Sequence, residues 1–161
     1  MRVLAIDLGD ARTGLAVGDR LTAIAAPAGL IEQPIAHDQG NALIREITRQ
    51  VHATLGGDLK ESEIIMGIPL NMDDTEGPRA KDARTFAQRL ANALNAPITL
   101  VDERRSSIAA DARMAQTGLT HKQKKLRRDA IAASEILQSF LSDETAAIAR
   151  VEPMIDNDPP N

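Results

Sequence analysis

The stretch RVLAIDLGDARTGLAVG, residues 2–18, decides how this chain folds. Residues 2–8 are apolar on both faces apart from Asp7, the pattern of a central strand covered on both sides. Gly9-Asp10-Ala11-Arg12 is short and turn-like, and residues 13–18 read as a second strand paired to the first as a hairpin. A carboxylate inside an apolar strand is expensive unless it is paired, protonated or bound to a metal. At Asp7 two readings compete on equal terms: a metal ligand, or a buried acid satisfied by the backbone donors of the Gly9–Arg12 turn.

Outward from this hairpin, a third strand lies within Thr22–Ile31, broken by Pro27. Asp38 can cap a helix running to about Leu55, with Leu43, Ile47, Val51 and Leu55 one turn apart and Gly56-Gly57 ending it. Glu63–Ile68 is a short buried strand stopped by Pro69. The loop PLNMDDTEGP follows, with Asp74 or Thr75 as a candidate cap and Pro78 in the first turn of the next helix. That helix places Ala83, Phe86, Ala87, Leu90 and Leu94 on one face. Ile98–Val101 is another strand, leaving through Asp102-Glu103-Arg104-Arg105. A helix from about Ser107 to Gln116 ends at Gly118, Thr120-x-x-Gln123 forms a capping box, and the last helix runs to about Leu141. The order β-β-β-α-β-α-β-α-α predicts an α/β domain with a five-stranded mixed sheet flanked by helices. The domain spans residues 1–142. Residues 143–161 read as an acidic tail, disordered from about 152 because it is rich in Pro and Asp.

Composition narrows the chemistry. The chain has 161 residues, room for one ordinary domain, and two Phe are its only aromatic residues. A nucleic acid could therefore not be held by stacking on an aromatic platform, and contacts would go to phosphate and sugar. The absence of Cys removes disulfides, thiolate zinc sites and cysteine nucleophiles. The early Asp7 cuts the N-terminal apolar run too short for a signal peptide or membrane span, so a soluble, cytoplasmic protein with no membrane partner is expected. Net charge is −4, and the segment from Asp143 onward, with five acids and one base, accounts for all of it. The preceding part is neutral and contains the run HKQKKLRR, residues 121–128, with Lys122, Lys124, Lys125, Arg127 and Arg128 and no acid. A local basic patch on a neutral body can bind phosphates.

Three positions carry candidate chemistry. Asp102-Glu103 closes a buried strand, where functional groups commonly face a crevice. Alternation along a strand lets only one of the two share a face with Asp7; a polar strand exit paired to Arg104 and Arg105 is the plainer reading. Asp129, Ala133, Ile136 and Phe140 form one helical stripe, apolar except for Asp129. A lone acid on a core-facing stripe suggests a ligand, with a salt bridge to Arg127 or Arg128 as the competitor. Three acids on two strands and a helix resemble a carboxylate cage for hard cations such as Mg²⁺ or Mn²⁺. The loop before Pro78 could position a substrate phosphate through backbone N–H groups and Arg79.

Taken together these segments resemble the YqgF/RuvX family, whose members are described as Holliday junction resolvases or pre-16S rRNA nucleases. AIDLGDARTGLAVGD is similar to the family's first hairpin, IDxGxKRIGVAVSD. GIPLNMDDTEGPRA resembles its GLPLNMDGTEGPRA segment, VDERRSSIAA its DERxTTxxA block, and KKLRRDAIAASEIL its KxxxDxxAAxxIL helix. The blocks run from residue 5 to 137. Asp74 stands where the family often has Gly, Ala11 where it often has Lys, and Ser106-Ser107 where it usually has Thr-Thr. The resemblance implies an RNase H-like, RuvC-like fold and a catalytic, metal-binding set of Asp7, Glu103 and Asp129; it is the resemblance that selects Glu103 over Asp102. It further implies a metal-dependent endonuclease acting on nucleic acid, RNA ahead of DNA, in processing of the 5′ end of pre-16S rRNA and in association with pre-ribosomal particles. Arg79, Arg104, Lys122, Lys124, Lys125, Arg127 and Arg128 are the candidate substrate contacts, and a monomer or homodimer is expected. A Holliday junction resolvase, which needs two sites facing a four-way junction, is the alternative nuclease. An actin-like ATPase shares the opening Asp-x-Gly but needs two such domains. A non-catalytic RNA-binding assembly factor would have no use for three acids that repel phosphate.

Overall fold

The computed structural model describes residues 1–104 and 121–154, apart from the side chains of 121–130 and 144. The hairpin forms as read: β1 (Arg2–Leu8) runs antiparallel to β2 (Thr13–Asp19). Its turn closes through Gly9 N donating to Arg12 O at 3.0 Å. A Cβ at Gly9 would stand 2.5 Å from that carbonyl, so this turn requires glycine. β3 (Ile24–Ile31) pairs antiparallel with β2 at the sheet edge. Pro27 does not break the strand; it sits beside a register shift on an edge, where a missing N–H is tolerated.

The remaining strands are β4 (Ser62–Ile68), β5 (Ile98–Asp102) and β6 (Ala147–Val151). They complete a six-stranded sheet in the order β3-β2-β1-β4-β5-β6, with β1, β4 and β5 parallel and β6 antiparallel to β5. This corrects the expectation of five strands. The sixth is a five-residue edge strand inside the segment read as an acidic tail, where flanking acids hid a short apolar alternation that buries Val151. The chain beyond it stays tied to the domain: Gln88 Nε2 donates to Glu152 O and Met154 N to Asn92 Oδ1, both at 2.8 Å.

Helices α1 (Asn41–Leu55) and α2 (Pro78–Leu94) cover one face of the sheet, and α3 (His121–Ser142) covers the other. The stripes read from the sequence are the buried ones: Leu43, Ile47, Val51 and Leu55 on α1, Ala83, Phe86, Ala87, Leu90 and Leu94 on α2, and Ala133, Ile136 and Phe140 on α3. Each layer holds one of the two Phe. Strand alternation divides the core. Leu4 and Ile6 of β1 and Leu100 of β5 face α1 and α2, whereas Val3, Ala5, Ile65 and Val101 face α3.

The helix starts differ from the sequence reading. Asp38 does not cap α1; it lies in a short 3₁₀ turn with left-handed backbone at Asp38 and Gln39, and it pairs with Arg45 at 3.2 Å. Gly40 and Gly77 are the N-cap residues of α1 and α2, neither with a side-chain cap bond. Asp73 and Thr75 instead bond each other within the loop ahead of α2. The helix expected over Ser107–Gln116 and its successor's capping box lie outside the described residues.

Val151 of β6 is the last buried side chain among the described residues, and a chain ending after Met154 retains it. One ending after Ala146 should lose at least about 2 kcal/mol, since the burial of Val151 alone is worth roughly that. Urea denaturation midpoints of the two truncations and the full chain check this.

Candidate active site

The C-terminal ends of the parallel strands gather at one end of the sheet. Asp7 lies at the end of β1, Gly67 and Ile68 at the end of β4, and Asp102 ends β5. The ladder continues past β5 through Glu103 N donating to Ile68 O at 3.3 Å. Alternation then sorts the two acids. Leu100 and Asp102 belong to the α1–α2 face, and Val101 and Glu103 to the α3 face, the face of Val3, Ala5 and Asp7. Glu103, not Asp102, thus shares a side of the sheet with Asp7.

Gly67 stands between them. The register, with Ile6 opposite Met66 and Gly67 opposite Val101, puts this glycine on the strand separating β1 from β5. A Cβ there would meet Ile136 Cδ1 at 2.7 Å and Glu103 Oε2 at 3.5 Å. The missing side chain lets Ile136 of α3 approach the strand that separates β1 from β5. Its trace in the sequence is an isolated glycine inside an apolar strand, which marks a close approach.

The electrostatics are those of two like charges partly withdrawn from water. Burial, reinforced by the negative charge of Asp7 and more weakly by Asp102, pushes the Glu103 carboxyl up to about 7, with Arg79 acting in the opposite sense. Glu103 also lines a small cleft of about 80 Å³ with Leu8, Asp10, Pro69, Arg79 and Asp82. Among the described residues lining it, Arg79 is the sole base against three acids. Arg79 is largely exposed and 3.5 Å from the equally exposed Asp10, a loose surface pair that leaves it able to turn toward an incoming anion. Sequence reasoning missed Asp10 and Asp82, since a turn acid and a helix-surface acid look ordinary until the fold brings them to one opening.

Arg104 is held differently. Its guanidinium binds the nearly buried Asp102 through Nε and Nη2, donates from Nη1 to Asn71 O at 2.6 Å, and reaches Asp74 Oδ1 from Nη2 at 2.6 Å. It clamps the loop between β4 and α2 to the end of β5. Asp74 has left-handed backbone, φ 65°, at the position where the resembling family often carries glycine. Aspartate is among the non-glycine residues that tolerate this region, and its carboxylate is taken up by the clamp.

The third expected acid, Asp129, belongs to α3, but its side chain lies outside the described residues, as do those of Lys122, Lys124, Lys125, Arg127 and Arg128. Among the described residues no cluster of three potential metal ligands is found. The carboxylate oxygens of Asp7 and Glu103 are nonetheless the donors that hard divalent cations prefer, and their mutual repulsion is what a cation relieves.

Backbone comparison defines the class. RuvC of Thermus thermophilus, solved in complex with a Holliday junction substrate, superposes with a TM-score of 0.51 at 13% identity, over 96% of this chain and 99% of that one. The Fowlpox virus resolvase, solved with Holliday junction DNA, gives 0.51 at 12% identity, over 88% and 97%. The fold is RuvC-like, of the RNase H type. Residues 1–143 match the family RuvX, described as Holliday junction resolvase. A protein of Anaeromyxobacter dehalogenans (strain 2CP-1) is 42% identical over 142 residues, covering 88% of this chain and 96% of its own length. One of Chloroflexus aurantiacus (strain J-10-fl) is 37% identical over 139 residues, covering 86% and 85%. Both carry the name "Putative pre-16S rRNA nuclease". The chain belongs to the RuvX family.

The raised Glu103 has a consequence for the metal-free protein. An ordinary glutamate releases its proton near 4.5, whereas the folded state holds this one up to about 7. The folded state binds the proton more tightly than the unfolded chain, so the stability linked to it is complete below about pH 4.5 and is lost as pH rises to about 7. In EDTA, Glu103→Gln should therefore exceed wild type above pH 7 by on the order of 3 kcal/mol, with the gap closing toward pH 4.5. Urea titrations across that range read it directly; a gap independent of pH would place the effect elsewhere.

Proposed function

We propose that this RuvX nuclease cleaves phosphodiester bonds in structured RNA with Mg²⁺ or Mn²⁺ held by Asp7, Glu103 and Asp129. Its substrate is the 5′ side of pre-16S rRNA, met in the cytoplasm on pre-ribosomal particles. The observation that carries the reading is the pair of like charges at the sheet end, with Glu103 pushed up to about 7 chiefly by burial and by Asp7. An acidic cleft repels a phosphodiester unless cations neutralise it, and a protein that only binds RNA gains nothing from such a pair. The choice of substrate draws on the names of relatives 37–42% identical to this chain.

When bound, divalent cations supply activation of the attacking water and stabilisation of the leaving oxygen. The chain's own residues do the rest. Asp7 and Glu103 present oxygen donors from backbone fixed by the sheet, and Gly67 lets α3 pack close to the strand between them. Arg79 at the cleft binds a phosphate of the incoming strand. Lys122, Lys124, Lys125, Arg127 and Arg128 precede Asp129 on α3, the helix packed on the face that carries Asp7 and Glu103, and hold flanking phosphates. Arg104 contributes through the loop it clamps.

Cleavage of a pre-16S rRNA fragment should require Mg²⁺ or Mn²⁺ and stop in excess EDTA. Asp7→Asn, Glu103→Gln and Asp129→Asn should each reduce turnover by at least about 100-fold while circular dichroism shows the fold retained. Asp102→Asn should slow turnover far less than these three, because Asp102 faces away from Asp7 and binds Arg104. A four-way DNA junction assayed in parallel tests the reading the family's description favours. Faster cleavage of the junction than of the RNA, by a protein that sediments as a dimer, would replace the RNA substrate with it.

Replacing Lys124, Lys125, Arg127 and Arg128 together with Ala should weaken RNA binding more than it slows cleavage. With a single-stranded ligand the slope of log affinity against log salt should become shallower by roughly 0.7 per lost contact. Measuring affinity at several salt concentrations in an Asp7→Asn background isolates binding, and an unchanged slope would assign the run to a solvated helix surface.

A further inference from the structure

The loop between β4 and α2 is far better tied down than its exposure demands. Asn71 N donates to Thr75 O at 2.9 Å, Asp74 N closes a turn to Asn71 O at 3.0 Å, and Leu70 pairs with Glu76. Thr75 bonds Asp73 through both its N–H and its hydroxyl. Arg104 fixes Asn71 and Asp74 from one side, and Arg84 holds Glu76 from the other. Met72 occupies the first central position of the Asn71–Asp74 turn, and it is 93% exposed.

An apolar side chain held out by a braced turn is a different object from one on a slack loop, which can fold back onto the surface. Two described large apolar residues are at least nine-tenths exposed, Met72 and Leu21. Leu21 belongs to the opposite end of the sheet, next to Arg20, whose N–H bonds Met1 O. Met72 is at the end that carries Asp7 and Glu103, on a loop that begins with cleft-lining Pro69 and is bonded to Arg104, the neighbour of Glu103.

We propose that Met72 is a nucleobase contact: the braced turn presents its thioether to the face of an unpaired base next to the scissile phosphate. This rests on the nuclease reading above and names what a site without aromatic residues uses to engage a base. Both Phe are buried in the core, so neither can stack on substrate. Methionine is unbranched and polarisable, and its sulfur packs well against aromatic rings. Its neighbours Asp73 and Asp74 are acidic, with Asp73 held in its charged form chiefly by the Thr75 hydroxyl. Carboxylates at the tip disfavour a phosphate there and accept hydrogen bonds from exocyclic amino groups. The tip is therefore suited to a base, while Arg79 is suited to the backbone.

The test uses full-length protein, wild type and Asp7→Asn, with a pre-16S rRNA fragment and a DNA junction, each carrying 2-aminopurine at successive positions around the cleavage site. In the Asp7→Asn background, Met72→Ala should weaken binding roughly 2- to 10-fold and abolish the fluorescence change at one position. Met72→Leu should restore much of the affinity, and an abasic nucleotide at that position should erase the difference between Met72 and Ala. Arg104→Ala should lose the same fluorescence signal with Met72 intact, because the tip is then unbraced. Equal loss on intact and abasic substrates would overturn the proposal and assign Met72 to a contact other than a base. So would unchanged binding and KM for Met72→Ala on a substrate that wild type cuts, which leaves the nuclease reading standing. Wild type that cuts neither substrate removes that reading, and this contact with it.

Discussion

Two carboxylates, Asp7 and Glu103, are held on one side of the sheet, partly withdrawn from water and close enough to repel, and much of the described site follows from that burial and repulsion. The acids are fixed to strand ends whose ladders leave them little freedom to move apart. Glu103 answers by holding its proton up to about 7. A hard divalent cation would relieve the same strain as a proton, which is the basis of the metal-dependent function proposed above. Gly67 lets α3 pack close: a Cβ there would stand 2.7 Å from Ile136 Cδ1, so that side chain would have to shift.

The same economy of charge organises the surroundings. Among the described residues, the cleft beside Glu103 is lined by Asp10, Asp82 and a single arginine, Arg79. Arg104, which sequence alone would assign to substrate, is committed to Asp102, Asp74 and Asn71. Its Nε, Nη1 and Nη2 donors are spent on tying the loop to the end of β5. An arginine next to a candidate catalytic acid can thus serve by positioning, and the burial of Asp102 is matched by the same clamp. Asp74, at a left-handed position suited to glycine, is stabilised there by the partner waiting for its carboxylate.

Local pattern alone determined a good deal. The apolar stripes of α1, α2 and α3, the Gly9 turn and the short strands around Ile64, Ile65 and Leu100 follow from periodicity and turn chemistry, because burying one face of a helix or both faces of a strand leaves a mark in the residue order itself. The oddity of an acid in an apolar strand, Asp7, was legible for the same reason. Caps were less so: Asp38 and Thr75 were chemically able to cap, but the backbone ahead of each helix bends through left-handed or extended residues that spend those side chains on other bonds. The strand Ala147–Val151 was hidden because its pairing energy comes from β5, almost fifty residues earlier, and five residues between acids carry too little pattern of their own.

What only the tertiary structure decided is which groups meet. Alternation stated that Asp102 and Glu103 face opposite ways, but not which of them looks toward α3; that required β1, β4 and β5 to be laid side by side in register. The role of Gly67, the gathering of Asp10, Asp82 and Arg79 at one opening, and the capture of Arg104 by a loop about thirty residues away are likewise properties of the packed sheet. Periodicity is set by each residue's near neighbours along the chain, whereas charge coupling and clamping act through space, across distances that only the folded backbone makes short.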